Sequence, residues 1–330
     1  IASIQVFRKP LGVVASITPW NWPLMIAIWH VIPALRAGNT VVIKPSPLTP
    51  LATIRFVEMV SEILPPGVLN VITGDASVGE ALSKHSDVNK IVFTGSTQTG
   101  RNIMQAASAN LKRLTLELGG NDAGIVLDDV NVKEVAPKLF AAAFHNNGQT
   151  CACLKRLYVH ESIYEDLCEE LARLAKAVVI GDGTRDGVEL GPLQNKAQLA
   201  IVTNLVADAK ASGGRFIAGG HPIEGDGFFF APTIIADLED GHRLVDEEQF
   251  GPVVPVIKYS DVSTIIGRAN QNESGLGGSI WSSNVTRAAA LAQQLECGTA
   301  WVNDHGAIQP DAPFGGVKQS GFGVEFGSYG

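Results

Sequence analysis

The order of elements in this 330-residue chain predicts an α/β fold built on parallel sheets. Three observations carry the prediction. Short apolar runs alternate with helical periodicity from Leu11 to about Leu118. A second alternation of the same kind starts near Asn121, and the pair Gly119-Gly120 separates the two. Length by itself favours two domains.

The elements follow in order. Residues 3–7 read as a strand, 12–17 as another, and 22–37 as an apolar helix. Residues 40–44 are a strand; Thr49-Pro50 then caps a helix over 51–64, with proline suited to a first turn. Strands over 68–72 and 90–94 flank a short helix over 78–83, and a helix over 97–107 follows. Beyond the glycine pair, 123–127 is a strand, 132–144 a helix and 156–160 a strand. Residues 162–177 are an amphipathic helix with Ile163, Leu167 and Leu171 on one face. Residues 196–212 and 261–270 are helical, and 253–259 is a strand.

Composition narrows the function classes. An apolar content of 45%, with 35 glycines and 17 prolines, suits a turn-rich α/β enzyme. A net charge of −8 without any Lys/Arg run argues against a nucleic-acid surface. No apolar run reaches the roughly 18 residues of a membrane span. Four cysteines in this length make no disulfide framework, which points to a reducing, cytoplasmic setting. No signal-peptide pattern opens the sequence. It starts at Ile1 without a methionine, and residues 327–330 add no closing element, so both ends read as cut.

The chemistry-bearing segments are few. Gly148-Gln149-Thr150-Cys151 places a thiol after a Gly-Gln turn, and Glu117 stands upstream in Leu116-Glu117-Leu118-Gly119-Gly120. A lone cysteine is commonly buried filler; one accompanied by a carboxylate is a candidate nucleophile with its own base. Phe93-Thr94-Gly95-Ser96 ends a strand and opens a helix, where backbone N–H groups can hold a phosphate. An ordinary βα turn looks the same, and G-x-G-x-x-G is absent. Trp20-Asn21-Trp22 follows the first strand of the alternation, where open α/β sheets bind ligands. There the Asn21 amide can donate to an oxyanion, or be a turn residue between core aromatics. Lys44 ends a strand within reach of ribose or phosphate oxygens, or is merely solvated. Glu248 lies in Glu247-Glu248-Gln249-Phe250-Gly251-Pro252, which also reads as a charged turn. Cys151 and Cys153 are one residue apart with no second Cys/His pair, so neither a metal nor a C-x-x-C redox pair is expected. Cys168 and Cys297 read as structural.

Together these segments resemble the NAD(P)-dependent aldehyde dehydrogenase superfamily. The match runs in family order through Pro19-Trp20-Asn21, Lys44-Pro45-Ser46, Phe93-Thr94-Gly95-Ser96 with Gly100, and Leu116-Glu117-Leu118-Gly119-Gly120. It continues through Gly148-Gln149-Thr150-Cys151, Glu248-Gln249-Phe250-Gly251-Pro252 and residues 313–321. The resemblance implies a Rossmann-like parallel-sheet cofactor domain plus a second α/β catalytic domain. It sets residues 1–10 as the end of an oligomerisation strand region and 11–119 as an incomplete cofactor domain. Residues 120–319 would be the catalytic domain and 320–330 a return segment. The family's N-terminal segment and C-terminal oligomerisation strand would then lie outside this chain, and a full-length parent would form a homo-oligomer.

The implied reaction is oxidation of an aldehyde. Cys151 would add to the aldehyde, Asn21 and the Cys151 N–H would hold the oxyanion, and Glu117 would activate water against the thioacyl-enzyme. The cofactor would be NAD or NADP, with NAD favoured. Its contacts would be Trp20, Lys44, Gly95, Ser96, Glu248 and Phe250. A substrate tunnel would be walled by Trp22, Trp29, His145, Thr150, His305, Ile308 and Phe314. Two departures stand out: Pro47 replaces a glutamate common in NAD-preferring members, and His30 replaces a lysine of the proton relay. A CoA-acylating relative, or a non-catalytic relative that keeps the fold, are the alternatives. The presence of Glu117 argues against the former.

Overall fold

Alternate side chains of Val13–Ile17 (β1) enter two different cores. Val14 packs with Ala27, Val31, Val41 and Val57, whereas Ala15 and Ile17 pack with Ile91, Phe93, Ile103 and Leu116. A strand buried on both faces is the mark of a sheet covered by helices on each side. The computed structural model describes residues 3–330. Two units emerge: Ile1–Leu118 with Pro310–Phe314 and Gly321–Gly330, and Gly119–Gln309 with Gly315–Ser320.

In the first unit β1 is followed by α1 (Pro23–Arg36), β2 (Thr40–Lys44), α2 (Leu51–Ser61) and β3 (Leu69–Val71). Then come α3 (Ala76–Lys84), β4 (Val88–Thr94), α4 (Thr97–Ala107) and β5 (Arg113–Glu117). The parallel strands run β5-β4-β1-β2-β3, and the returning segment Gly321–Phe322 adds an antiparallel edge on β5. Strand order reverses between β1 and β4, and that point is where a doubly wound sheet opens a crevice at its strand ends. Local chemistry agrees with the boundaries. Pro23 occupies the first turn of α1, and the Asp75 and Ser96 side chains cap α3 and α4 by accepting from Ser77 N and Thr99 N.

The second unit contains β6 (Asp122–Val126), α5 (Val132–Phe144), β7 (Leu154–His160), α6 (Tyr164–Ala177) and α7 (Lys196–Ala211). It continues with β8 (Arg215–Ala218), β9 (Thr233–Ala236), α8 (Arg243–Asp246), β10 (Val253–Tyr259) and α9 (Val262–Asn270). The remainder is β11 (Ser274–Gly275), β12 (Gly277–Trp281), α10 (Val285–Ala292), β13 (Thr299–Val302) and β14 (Val317–Lys318). Its main sheet is ordered β13-β12-β6-β7-β10-β9-β8, antiparallel only at β8–β9. Helices α5 and α6 cover one face, and α7, α9 and α10 the other.

Several expectations need correction. Residues 3–7 form no strand: Ile4, Val6 and Phe7 are 90%, 87% and 76% exposed, and no strand among the described residues pairs with them. Residues 1 and 2 lie outside the described residues. Thr49 does not cap α2; Pro50 holds the cap position without a side-chain hydrogen bond, and the helix stops at Ser61 rather than 64. The strands β5, β8, β9, β12 and β13 went unpredicted. β12 is Gly-Gly-Ser-Ile-Trp, a composition that reads as a turn until neighbours on both sides bury it.

Candidate functional site

The first unit's strand ends open a crevice of about 810 Å³ at the switch point between β1 and β4. That size suits a small organic ligand. Trp20, Lys44, Gly95 and Ser96 all line it, together with Ser46, Pro47 and Asp75. Glycine is favoured at Gly95, since a Cβ would lie within 3.3 Å of three atoms of the Phe93 ring, the nearest at 2.5 Å. The hydroxyl of Ser96 caps α4, so the positive end of that helix faces the crevice. Lys44 Nζ donates to the carbonyls of Pro45 (3.0 Å) and Gly74 (3.2 Å), using two of its three donors. Burial lowers the lysine's pKa, and the Asp75 carboxylate partly offsets that.

Glu117 ends β5 and is buried, and neither carboxylate oxygen has a hydrogen-bond partner among the described residues. Its pKa stands well above the ordinary glutamate value, first because burial penalises the charge and then because Glu325 is a second carboxylate nearby. Glu325 is in turn 3.1 Å from His30 Nε2. The His30 ring, wholly enclosed on α1, shares hydrogen bonds with Ser16 (2.9 Å) and Thr94 (3.1 Å). Backbone bonds between Phe314 and Glu325 (2.7 and 2.8 Å) fix the returning segment that carries this carboxylate. Glu325 carries no sequence signal of its own, because it sits in a Gly-rich stretch without periodicity. Asn21 lies half-buried between β1 and α1, and Trp22 is the residue before the first turn of α1.

In the second unit Cys151 sits, partly exposed, in the turn between α5 and β7. Three successive left-handed residues, Asn146, Asn147 and Gly148, reverse the chain before it. Asparagine tolerates this conformation better than most residues, and glycine best. Gly148 is also needed for space, because a Cβ would collide with the Gly251 carbonyl. Asn147 donates to Gly191 O (3.0 Å), Gln149 Oε1 accepts from Gln194 N (2.8 Å), and Cys153 N bonds to Thr150 O (3.2 Å). The loop is therefore pinned from several directions. Cys153 is buried and its thiol is pushed up to about 11, mainly by burial. All four cysteines carry thiols rather than disulfides.

Glu248 forms an ion pair with Lys155 and accepts from Gly120 N at 3.1 Å. The adjoining Gln249 side chain is buried and donates to Leu244 O (2.6 Å), which anchors the segment, and Phe250 takes a left-handed φ of 49°. Of the expected tunnel residues, Trp22, Trp29 and Phe314 belong to the first unit; His145, Thr150, His305 and Ile308 belong to the second. Trp29 packs edge-on against Phe326, with ring centroids 4.7 Å apart. His145 is exposed, Thr150 and Ile308 are half-buried, and Phe314 is buried. The His305 imidazole is enclosed: Nδ1 is 2.9 Å from Ser279 Oγ, and Nε2 is 3.6 Å from Asp122 Oδ2.

Comparison with known proteins decides the kinship. A family model described as the aldehyde dehydrogenase family matches residues 2–330. The chain belongs to the aldehyde dehydrogenase family. Among its relatives is the phenylacetaldehyde dehydrogenase of Pseudomonas fluorescens, 44% identical over 97% of this chain and 65% of that protein. An aldehyde dehydrogenase from Bacillus cereus, solved as an NAD+ complex, superposes with a TM-score of 0.95 at 38% identity. That match covers 97% of this chain and 66% of the other. The betaine aldehyde dehydrogenase of Staphylococcus aureus in complex with NAD+ also gives 0.95, at 37% identity over 97% and 65% of the two chains. The chain thus spans about two thirds of the length of these relatives. The Rossmann-like family fold accords with the sheet orders above. A nicotinamide dinucleotide suits the crevice through Gly95, the α4 terminus and Lys44.

Proposed function

We propose that this aldehyde dehydrogenase family chain oxidises an aldehyde to the carboxylic acid with NAD(P)+, through a thioester on Cys151. The observation that carries the reading is Glu117: a buried carboxyl with no hydrogen-bond partner among the described residues and a pKa well above the ordinary glutamate value is suited to take a proton from water. In the proposed sequence the Cys151 thiolate adds to the aldehyde carbon, and the Asn21 amide and Cys151 N–H stabilise the alkoxide. One such donor is worth about 3 kcal/mol. A dinucleotide held in the crevice would supply the hydride acceptor that oxidation of this carbon to the Cys151 thioester requires. Glu117 then removes a proton from water as the water oxygen attacks the thioester, releasing the carboxylate and restoring the thiol. Trp20, Lys44, Gly95, Ser96, Glu248 and Phe250 would hold the dinucleotide.

The test is Glu117→Gln, followed in the near ultraviolet for reduced cofactor. A burst of one equivalent per Cys151 with turnover lost is the expected result. Undiminished acid formation in that variant would remove Glu117 from its role. A CoA-acylating enzyme needs no such base, so the buried Glu117 favours hydrolysis.

NAD is favoured over NADP. Pro47 leaves one wall of the crevice without a carboxylate, but Asp75 supplies one beside Lys44. A 2′-phosphate there would meet a negative charge. An aromatic or medium-length aldehyde is the proposed substrate class, supported by Trp22, Trp29 and Phe314 and by the phenylacetaldehyde-oxidising relative. Comparing kcat/KM for phenylacetaldehyde, hexanal and betaine aldehyde tests it; preference for the cationic substrate would overturn it.

A further inference from the structure

Strand β7 opens with Leu154-Lys155-Arg156, two cations at the head of a strand buried in all but its last residue. A buried lysine is costly unless its charge and donors are met. Those of Lys155 are. Its Nζ donates to the carbonyls of Gly120 (3.1 Å) and Cys151 (3.0 Å) and to the Glu248 carboxylate, and it stands 5.1 Å from the Phe250 ring centroid. Burial works against the ammonium, but Glu248 and then Cys153 outweigh it and hold its pKa above the ordinary lysine value. Arg156, the next residue, serves other partners: Asn121 O, Tyr158 Oη and Ala269 O.

Three segments remote in sequence therefore meet on one nitrogen: the glycine pair, the thiol loop and the acid segment before β10. A neutral side chain would fill the same space with less desolvation, so packing alone does not account for the charge. We infer that Lys155 is a positioning residue for the thiol reaction proposed above, an inference resting on that reading. Its ammonium fixes the Cys151 carbonyl and the Glu248 carboxylate to Gly120, and keeps a positive charge beside the backbone of the reacting cysteine. Such a cation favours thiolate over thiol. The other titratable groups that face it are Glu248 and Asp122, whose charges oppose that effect, and Cys153, whose buried thiol stays uncharged.

The test needs neither aldehyde nor cofactor. Alkylation of Cys151 by iodoacetamide is followed against pH in the whole chain, read on the Cys151 peptide by mass spectrometry. Cys153, Cys168 and Cys297 should react slowly, their thiols being pushed up to about 11, 12 and 12 by burial. Lys155→Met should raise the pH midpoint by roughly one pH unit, and Glu248→Gln should lower it. With an aldehyde the same Lys155→Met protein should lose kcat far more than KM changes. A folded Lys155→Met protein with the wild-type midpoint would overturn the inference. Should that variant not fold, Lys155→Met/Glu248→Gln strands no charge. A midpoint above that of Glu248→Gln alone supports the inference, and coincidence with it overturns it. Wild-type protein that turns over no aldehyde would sink the proposed function but leave the alkylation comparison readable.

Discussion

Nε2 of His30 lies 3.1 Å from Oε1 of Glu325, and both side chains are shut away from bulk water. The same nitrogen is 3.1 Å from Thr94 Oγ1. A single N–H cannot serve both well, so the Thr94 hydroxyl competes for it with the negative charge of the Glu325 carboxylate. That charge is the second cause of the raised pKa of Glu117.

Replacing Glu325 with Gln removes a like charge and so favours the ionised form of Glu117. The acid-side limb of the kcat–pH profile should move to lower pH, with a gain in turnover at acidic pH relative to wild type. A limb that moves up, or stays put, would show that Glu325 does not act on Glu117.

Stability should carry the signature of Glu117 as well. Between the ordinary glutamate pKa and the raised value, the folded chain keeps a proton that the unfolded chain has released. Stability is therefore fully present below that window and falls as pH rises through it. Glu117→Gln abolishes this loss, so its melting temperature should exceed that of wild type more at pH 8 than at pH 5. Equal differences at the two pH values would contradict the burial argument.

Cofactor choice can be moved in both directions at the crevice wall. Pro47→Glu adds a carboxylate where none stands and should weaken binding of 2′,5′-ADP, measured calorimetrically. Asp75→Asn removes one and should strengthen it. Asp75 also caps α3, and asparagine keeps that hydrogen bond, so a change in affinity would not reflect a frayed helix.

Gly148→Ala places a Cβ in a left-handed residue and against the Gly251 carbonyl. A destabilisation of about 1–3 kcal/mol is expected from the backbone alone, readable by urea unfolding. Alkylation of Cys151 should slow at the same time, because its loop can no longer close as before. Unchanged reactivity with lowered stability would separate the turn from the placement of the thiol.

Strands with β-branched residues in a row, such as Thr40–Lys44 and Val253–Tyr259, were legible from sequence because their own composition favours extended backbone. β12 and β13 were not, since Gly277, Gly278 and Ala300 become strand only through partners contributed from elsewhere in the chain. The thiol, the acid and the Gly95-Ser96 turn were readable as short motifs with local meaning. Lys155, His30 and Glu325 owe their meaning to partners far along the chain: Lys155 meets Glu248, and His30 meets Glu325. No short window of sequence contains such a pair.

The last stretch of the chain alternates between the two units: Pro310–Phe314 belongs to the first, Gly315–Ser320 to the second and Gly321–Gly330 to the first again. A shortened gene product ending at Gln309 would keep β5 and Glu117 yet lose the edge strand beside them and the carboxylate that tunes them. Neither unit is therefore one uninterrupted stretch of sequence, and no single break in the chain separates them. The unit that carries Glu117 is built from three stretches of sequence and the unit that carries Cys151 from two.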